Sequence, residues 1–217
     1  MISDDRLRAA YAIEDRAVPR VRMNFVSSAD GAVTLDGRSG TLGGDTDRRL
    51  MQVLREMTDL VLIGAGTVRA EGYADVRPRL AVVSARLELS PDDEVFAEAA
   101  TRPLVVTSEA SPAGRRAALG AVADVLVCGQ TAVDLPAMVR EFAARGMPQI
   151  LCEGGPHLFG SLLDADAVDE LCVTVSPRLV GGAAGRIAQG AAEADRPFAL
   201  RSVLNDDEGF VFLRYGR

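Results

Sequence analysis

Ile150-Leu151-Cys152-Glu153-Gly154-Gly155-Pro156-His157-Leu158 is an apolar run that ends on a carboxylate, followed by two glycines and a proline. The order reads as strand, turn and helix. Proline suits the first helical turn, where its missing N–H would be unpaired in any case. The glycines expose amide donors at a helix start, where an anion is favoured. A second junction of the same kind is Leu62-Ile63-Gly64-Ala65-Gly66-Thr67-Val68. Alone it is weak, because Gly-x-Gly lacks the third glycine of the dinucleotide fingerprint and no acidic residue follows about 20 positions on. Taken singly, it reads at least as well as a structural turn. Two such junctions in one sheet predict a dinucleotide laid across the carboxyl ends of adjacent strands, with Glu153 facing a neighbouring substrate.

Outward from these junctions, short apolar runs at 21–27, 59–64, 80–84, 103–107, 124–128, 148–153 and 170–176 read as strands, most of them buried on both faces. Helical spacing lies between them. Leu50, Val53, Leu54 and Met57 follow the capping cluster Asp45-Thr46-Asp47, and Leu135, Met138, Val139 and Phe142 follow Asp134, with Gly146 as the stop. Leu158, Phe159, Leu162 and Leu163 mark a third helix. Strands alternating with helices predict a three-layer α/β sandwich with a mostly parallel central sheet. The end differs: 198–205 and 209–215 flank Asp206-Asp207-Glu208 and predict a C-terminal antiparallel hairpin, which a plain Rossmann order lacks. The expectation is one domain over 1–217, with residues 1–20 as an N-terminal extension and the Gly/Ala-rich segment 181–195 as a mobile loop or short helix.

The chain has 217 residues, 48% of them hydrophobic and 25% charged, which fits a folded globular protein. Its 31 acidic and 24 basic residues give a net charge of −7, and there is no Lys/Arg-rich run. Nucleic-acid binding is therefore disfavoured, while a small anion held by a few local arginines is not. No apolar run approaches the roughly 20 residues that cross a bilayer, and Met1–Arg20 has no apolar signal core, so neither a membrane nor an export role is expected. A cytoplasmic chain follows. Cys128, Cys152 and Cys172 sit in strand-like runs without Cys-x-x-Cys spacing and read as buried reduced thiols. One histidine, His157, excludes a His-rich metal centre, and no metal is expected.

A third segment, Ser27-Ser28-Ala29-Asp30-Gly31, is by itself ordinary turn chemistry at the end of the first core strand. Its weight changes in company. NFVSSADGAV, LREMTDLVLIGAGTVRAEGY and ILCEGGPHLFGSLLDADAVDELCVTVSPRLVGG together resemble the reductase domain of riboflavin biosynthesis, the 5-amino-6-(5-phosphoribosylamino)uracil reductase family with its dihydrofolate-reductase-like fold. The blocks keep the family's order and cover most of residues 21–182. Many members carry a deaminase domain ahead of the reductase. Its zinc signature, His-x-Glu with Pro-Cys-x-x-Cys, is absent, so the resemblance implies a reductase alone.

The resemblance implies NADPH as donor and a ribosylamino-pyrimidinedione 5′-phosphate as acceptor. The sugar would open to an imine-like form, and C1′ would receive the hydride. It places Gly64, Gly66, Thr67, Val68 and Glu153-Gly154-Gly155 around the cofactor, with Ser84 near the adenosine 2′-phosphate and Arg86 adding positive charge there. On the substrate side it picks out Asn24, Ser28, Asp30, Arg55, Glu71, Arg77 and Glu153. Arg55 and Arg77 are expected at the phosphate, since a planar guanidinium pairs two of its oxygens. Glu153 and Asp30 rank ahead of Glu71 as proton donors, with an ordered water as the alternative. Asn24 stands where bifunctional members often carry Lys, and Glu71 where the family usually places Asp, which leaves the exact substrate open. A pterin or dihydrofolate reductase and a non-catalytic NADPH or pyrimidine sensor are the rival readings. An exposed strand edge near the hairpin would be a liability for a monomer, so a homodimer is expected.

Overall fold

The structure is a computed structural model that describes residues 2–74 and 76–217. Its strands are β1 (Arg20–Ser28), β2 (Leu60–Gly64), β3 (Arg79–Val83), β4 (Leu104–Thr107), β5 (Asp124–Val127), β6 (Gln149–Gly154), β7 (Glu170–Ser176), β8 (Ala199–Asn205) and β9 (Val211–Gly216). The helices are α1 (Asp4–Ala10), α2 (Asp45–Glu56), α3 (Ala65–Glu71), α4 (Glu94–Ala97), α5 (Ala113–Leu119), α6 (Leu135–Ala144) and α7 (Pro156–Asp164). One sheet holds every strand, in the order β5-β4-β3-β2-β6-β1-β7-β9-β8. Pairing is parallel from β5 across to β7, and antiparallel where β9 joins β7 and β8 joins β9. The expected parallel sheet and closing hairpin are both present.

The central strands are continuous apolar runs because both of their faces are covered. On one face Met23, Leu62, Val106 and Cys152 pack against Met138 and Phe142 of α6 and Phe159 and Leu162 of α7. Phe25 stacks on Phe159 with ring centroids 5.3 Å apart, which seats α7 over β1. On the other face Val61, Ile63 and Val82 meet Val68, Phe96 and Leu119. Further along that face, Leu50 and Leu54 of α2 cover Leu151, Cys172 and Phe212. The three cysteines are free and buried, and burial pushes the Cys152 and Cys172 thiols up to about 12.

One local feature departs from the sequence reading. The cap of α2 is Gly44, and Asp45, Thr46 and Asp47 all lie inside the first turn, where acidic side chains still meet the positive end of the helix dipole. Within the N-terminal extension, Leu7 and Tyr11 are fully buried in the cluster beneath α2. Segment 181–195 is a loop, one of the two forms expected, joined to α7 by Gln189 N–H donating to the Pro156 carbonyl at 3.0 Å and Ala192 N–H donating to Asp164. Other signals hold, since the Asp134 carboxylate accepts from Ala137 N–H and Gly146 follows α6 at φ +79°. No helix among the described residues is long and apolar enough to cross a membrane.

Candidate active site

The two glycine junctions lie side by side. Strands β2 and β6 are neighbours, and a Cβ built on Gly64 would stand 3.6 Å from the Gly155 nitrogen. Gly155 has no such room, because its Cβ would lie 2.7 Å from Thr67 Oγ1. Gly154 sits at φ +133°, a region closed to ordinary side chains, and the Gly154–Gly155 peptide is cis. Helix α7 is capped by Gly155, which brings no side-chain hydrogen bond, so its first amides are left for other acceptors. Gly66 opens onto empty space beside them. Val68 differs from the rest of this set: its side chain is buried in the core, so only its backbone belongs to the junction.

A cleft of about 520 Å³ opens in front of these turns. Helix α2 supplies Asp47, Met51 and Arg55, spaced by four and so aligned on one helix face, while β1 supplies Asn24 and Val26. From β6 comes Glu153. The pairing of β2 with β6 skips one residue between Cys152 and Gly154, so Glu153 occupies a bulge where the ladder ends. Its side chain is 3% exposed, and its carboxylate meets Arg55 through Nε at 2.7 Å and Nη2 at 2.6 Å. Tyr73 O–H donates to the same carboxylate at 3.2 Å. Burial, helped by the Glu153 charge, pushes the Tyr73 phenol well above its ordinary value, so it keeps its proton. Burial alone would lower Arg55, but the hydrogen bond and charge of Glu153 outweigh it and raise it.

Asp30 and Ser28 form a second cluster. The Asp30 carboxylate accepts from the Ser28 hydroxyl, from Gly181 N–H at 2.7 Å and from Val180 N–H at 3.2 Å. These donors, the Ser28 hydroxyl foremost, push Asp30 down to about 2. A carboxyl held there is ionised at neutral pH. What it does is fasten the turn after β1 to the segment after β7. A cavity of about 430 Å³ lies between them, lined by Ser27, Asp30, Gly181 and Arg186.

The remaining expected residues are placed as follows. Glu71, at the cleft rim, accepts from the Ser39 hydroxyl at 2.6 Å. Arg77 is exposed and lies just past Val76, which lines the cleft. Arg55, expected at a phosphate, has two of its three guanidinium nitrogens on Glu153. The Ser84 hydroxyl closes the turn after β3 by accepting from Leu87 N–H at 3.0 Å, rather than facing outward. Arg86 is exposed beside Glu88, and its carbonyl accepts from Arg115. His157 is exposed, next to Gly190. The sequence reading missed Asp47, Ser39 and Tyr73 in the cleft wall. The four-residue spacing of Asp47, Met51 and Arg55 was the available signal for the first of these.

Comparison with known proteins agrees with this architecture. The family profile described as the RibD C-terminal domain matches residues 19–212. The chain is 31% identical over 180 residues to the 2,5-diamino-6-ribosylamino-4(3H)-pyrimidinone 5′-phosphate reductase of Methanothermobacter thermautotrophicus, covering 76% of this chain and 80% of that one. Among solved structures, a pyrimidine reductase-like protein from Corynebacterium diphtheriae superposes with a TM-score of 0.85 at 24% identity, covering 99% of this chain and 98% of that one. Dihydrofolate reductase from Enterococcus faecalis, complexed with NADP(H), shares the fold at a TM-score of 0.53 and 13% identity, over 91% of this chain and 96% of that one. With adjoining glycine turns on a sheet of this order and a profile match running from β1 into β9, the chain belongs to the RibD C-terminal domain family.

Proposed function

We propose that this chain is a reductase that converts a 6-ribosylamino-pyrimidine 5′-phosphate into its ribitylamino counterpart, with NADPH as donor. The observation that carries this reading is the contact between the Gly64 and Gly155 turns at the mouth of a cleft walled by Arg55, Glu153 and Asn24. The relative from Methanothermobacter thermautotrophicus is named for the same kind of phosphate-bearing pyrimidine.

The residues present fit a dinucleotide. A Cβ would fill the cradle at Gly155, Gly66 is open, and the first amides of α7 have no side-chain partner. Thr67, Gly154 and Gly155 would hold the cofactor at the turns, with Arg86 and the neighbouring Arg115 at the far end of the sheet supplying positive charge for a 2′-phosphate. When bound, NADPH supplies the hydride. The chain's own part is largely positioning. Arg55 and Tyr73 hold Glu153 rigidly in the wall, and Asp30 pins the two loops that border the adjoining cavity. The third nitrogen of Arg55, together with Arg77, is assigned to the substrate phosphate. Because Asp30 is ionised and both Glu153 oxygens accept hydrogen bonds, the proton for the opened sugar is assigned to a water in the cleft.

A dimer accompanies this reading. Strand β8 is the free edge of the antiparallel end, and its Leu200 and Val203 are 53% and 51% exposed. A second copy laid along that edge would cover both. Sedimentation at micromolar concentration checks it, and a monomer there removes the claim. The function itself is tested by following NADPH at 340 nm with purified protein and the ribosylamino-pyrimidine phosphate. Binding of NADPH without its oxidation would overturn the reductase reading in favour of a sensor.

A further inference from the structure

We propose that Asp47 selects the pyrimidine ring by its hydrogen-bond donors, so that the chain prefers the 2-amino-4(3H)-pyrimidinone over the 2-oxo pyrimidinedione. This rests on the reductase reading above and adds to it which ring the cleft takes.

The floor of the cleft is rich in acceptors. Asn24 and Val26 on β1 pair with Cys172 and Thr174 on β7, and the face they share is the one that α2 covers. Asn24 Oδ1 is buried there with no hydrogen-bond partner among the described residues. Across from it, Asp47 lines the same cleft from the first turn of α2. The backbone before the helix closes on its carboxylate, since a Cβ on Gly43 would lie 2.6 Å from Asp47 Oδ2. The adjacent cation, Arg48, is engaged with Asp45 on the exposed side of the helix. Burial lifts Asp47 above the ordinary carboxylate range, and the neighbouring Thr174 hydroxyl and Arg48 offset it only in part. The Thr174 hydroxyl, also buried, makes no hydrogen bond among the described residues either, so the Asp47 carboxylate and the Asn24 oxygen are both left for a ligand that brings donors to this end of the cleft.

The two candidate rings differ at one edge. In the 2-amino-4(3H)-pyrimidinone, the exocyclic amino group and N3–H both donate on the same side and suit the two oxygens of a carboxylate. In the pyrimidinedione, C2 carries a carbonyl oxygen, so an acceptor would face the Asp47 carboxylate. The 5-amino group is common to both rings and suits the unpartnered Asn24 oxygen, which would orient the ring without discriminating. The apolar Val26, Val33 and Met51 are left for its faces.

The test compares kcat/KM of the wild-type protein for the two compounds, then repeats the comparison with Asp47→Asn and Asp47→Glu. Wild type should prefer the 2-amino ring by about 100-fold, the upper order that leaving a buried polar group unpaired supplies. Asp47→Asn presents one donor and one acceptor. It should lower kcat/KM for the 2-amino ring about 30-fold, mainly through KM, and bring the two rings within about threefold of each other. Asp47→Glu should retain the order of preference. Calorimetric binding of NADPH should be the same in all three proteins. Equal use of both rings by wild type, a preference for the pyrimidinedione, or a preference that survives Asp47→Asn overturns the selection while leaving the reductase reading intact. If folded wild type binds NADPH and turns over neither ring, the reductase reading falls, and the selection with it. Should Asp47→Asn not fold, Asp47→Ser, which likewise lacks the paired carboxylate oxygens, makes the same comparison, and a preference that survives it overturns the selection.

Discussion

The guanidinium of Arg55 and the carboxylate of Glu153, 98 residues apart in sequence, meet through two parallel hydrogen bonds of 2.7 and 2.6 Å. This pair joins α2 to the end of β6, two elements that both line the cleft. A two-point contact fixes both direction and distance, which a single point charge does not. Glu153→Gln keeps the shape but sets an amide nitrogen against the guanidinium. Expected is a fall in kcat/KM of about 100-fold, with loss of stability toward the lower end of the roughly 3–5 kcal/mol range for a broken buried pair, because Arg55 is 22% exposed. Steady-state kinetics and urea unfolding measure the two effects separately. Full activity in the variant would exclude Glu153 from the working site.

Asp30 is expected to act as a fastener. With its carboxyl at about 2, held there first by the Ser28 hydroxyl and then by the Gly181 and Val180 amides, it leaves no acid limb in the activity profile near neutral pH. The sign for stability follows. A depressed carboxyl contributes above its unfolded value of about 3.9, and the contribution is lost as pH falls through about 2. Asp30→Asn should speed hydrogen exchange at the Val180 and Gly181 amides while leaving the β1 and β7 amides protected. Unchanged exchange at those two amides would show that the loop is held by other contacts.

Glu170, the first residue of β7, is a structural counterpart to Glu153 at the opposite end of the parallel strands. It is buried and accepts from Arg20 at 2.7 Å, Arg22 at 2.7 Å and Arg214 at 2.6 Å. Burial alone would raise it, but the hydrogen bond from Arg214 and the surrounding guanidinium charges outweigh that, and the net shift is downward. Its stabilisation is therefore present above an unfolded value of about 4.3 and is lost as pH falls through the lower folded value. Glu170→Gln leaves these arginines without a counter-charge and should cost about 3–5 kcal/mol at neutral pH. The gap between variant and wild type in urea midpoint should shrink in acid. A gap independent of pH would mean that shape, and not charge, is what Glu170 provides.

The parts of this molecule that the sequence made legible are those where one local segment determines the outcome. Runs such as residues 60–63 and 104–106 are apolar throughout because both sheet faces are covered, so they stand out without knowledge of their neighbours. Asp134 announces α6 because its own carboxylate makes the cap. Gly44 could not be read in the same way, since it caps α2 without a side-chain hydrogen bond and three eligible residues stand beside it. Partners distant in sequence were equally hidden. Nothing near Arg55 indicates that it closes on Glu153, and nothing near Ser84 indicates that its hydroxyl is used by Leu87 N–H rather than by a ligand. Val68 illustrates a further limit, for a motif position fixes the backbone while the packing of α3 decides where the side chain goes.

The glycine junctions allow a paired experiment in which one substitution is the control for the other. At Gly64 a Cβ would make contacts no closer than 3.6 Å, at φ −84°, so Gly64→Ala should change stability by less than about 1 kcal/mol. At Gly155 the backbone is also ordinary, at φ −91°, but the new Cβ would stand 2.7 Å from Thr67 Oγ1. Either Thr67 moves or the turn opens, and overpacking of this kind costs about 1–3 kcal/mol. Because the strain arises from one oxygen, Thr67→Ala combined with Gly155→Ala should recover most of that loss, which a double-mutant cycle in urea measures directly. Cofactor binding should behave differently. NADPH affinity should fall about tenfold or more in Gly155→Ala and should not return in the double variant, since Thr67 is itself assigned to the cofactor. Recovery of stability together with recovery of affinity would place the cofactor away from Thr67, and equal tolerance of alanine at 64 and 155 would mean that the two turns do not meet as closely as the structure has them.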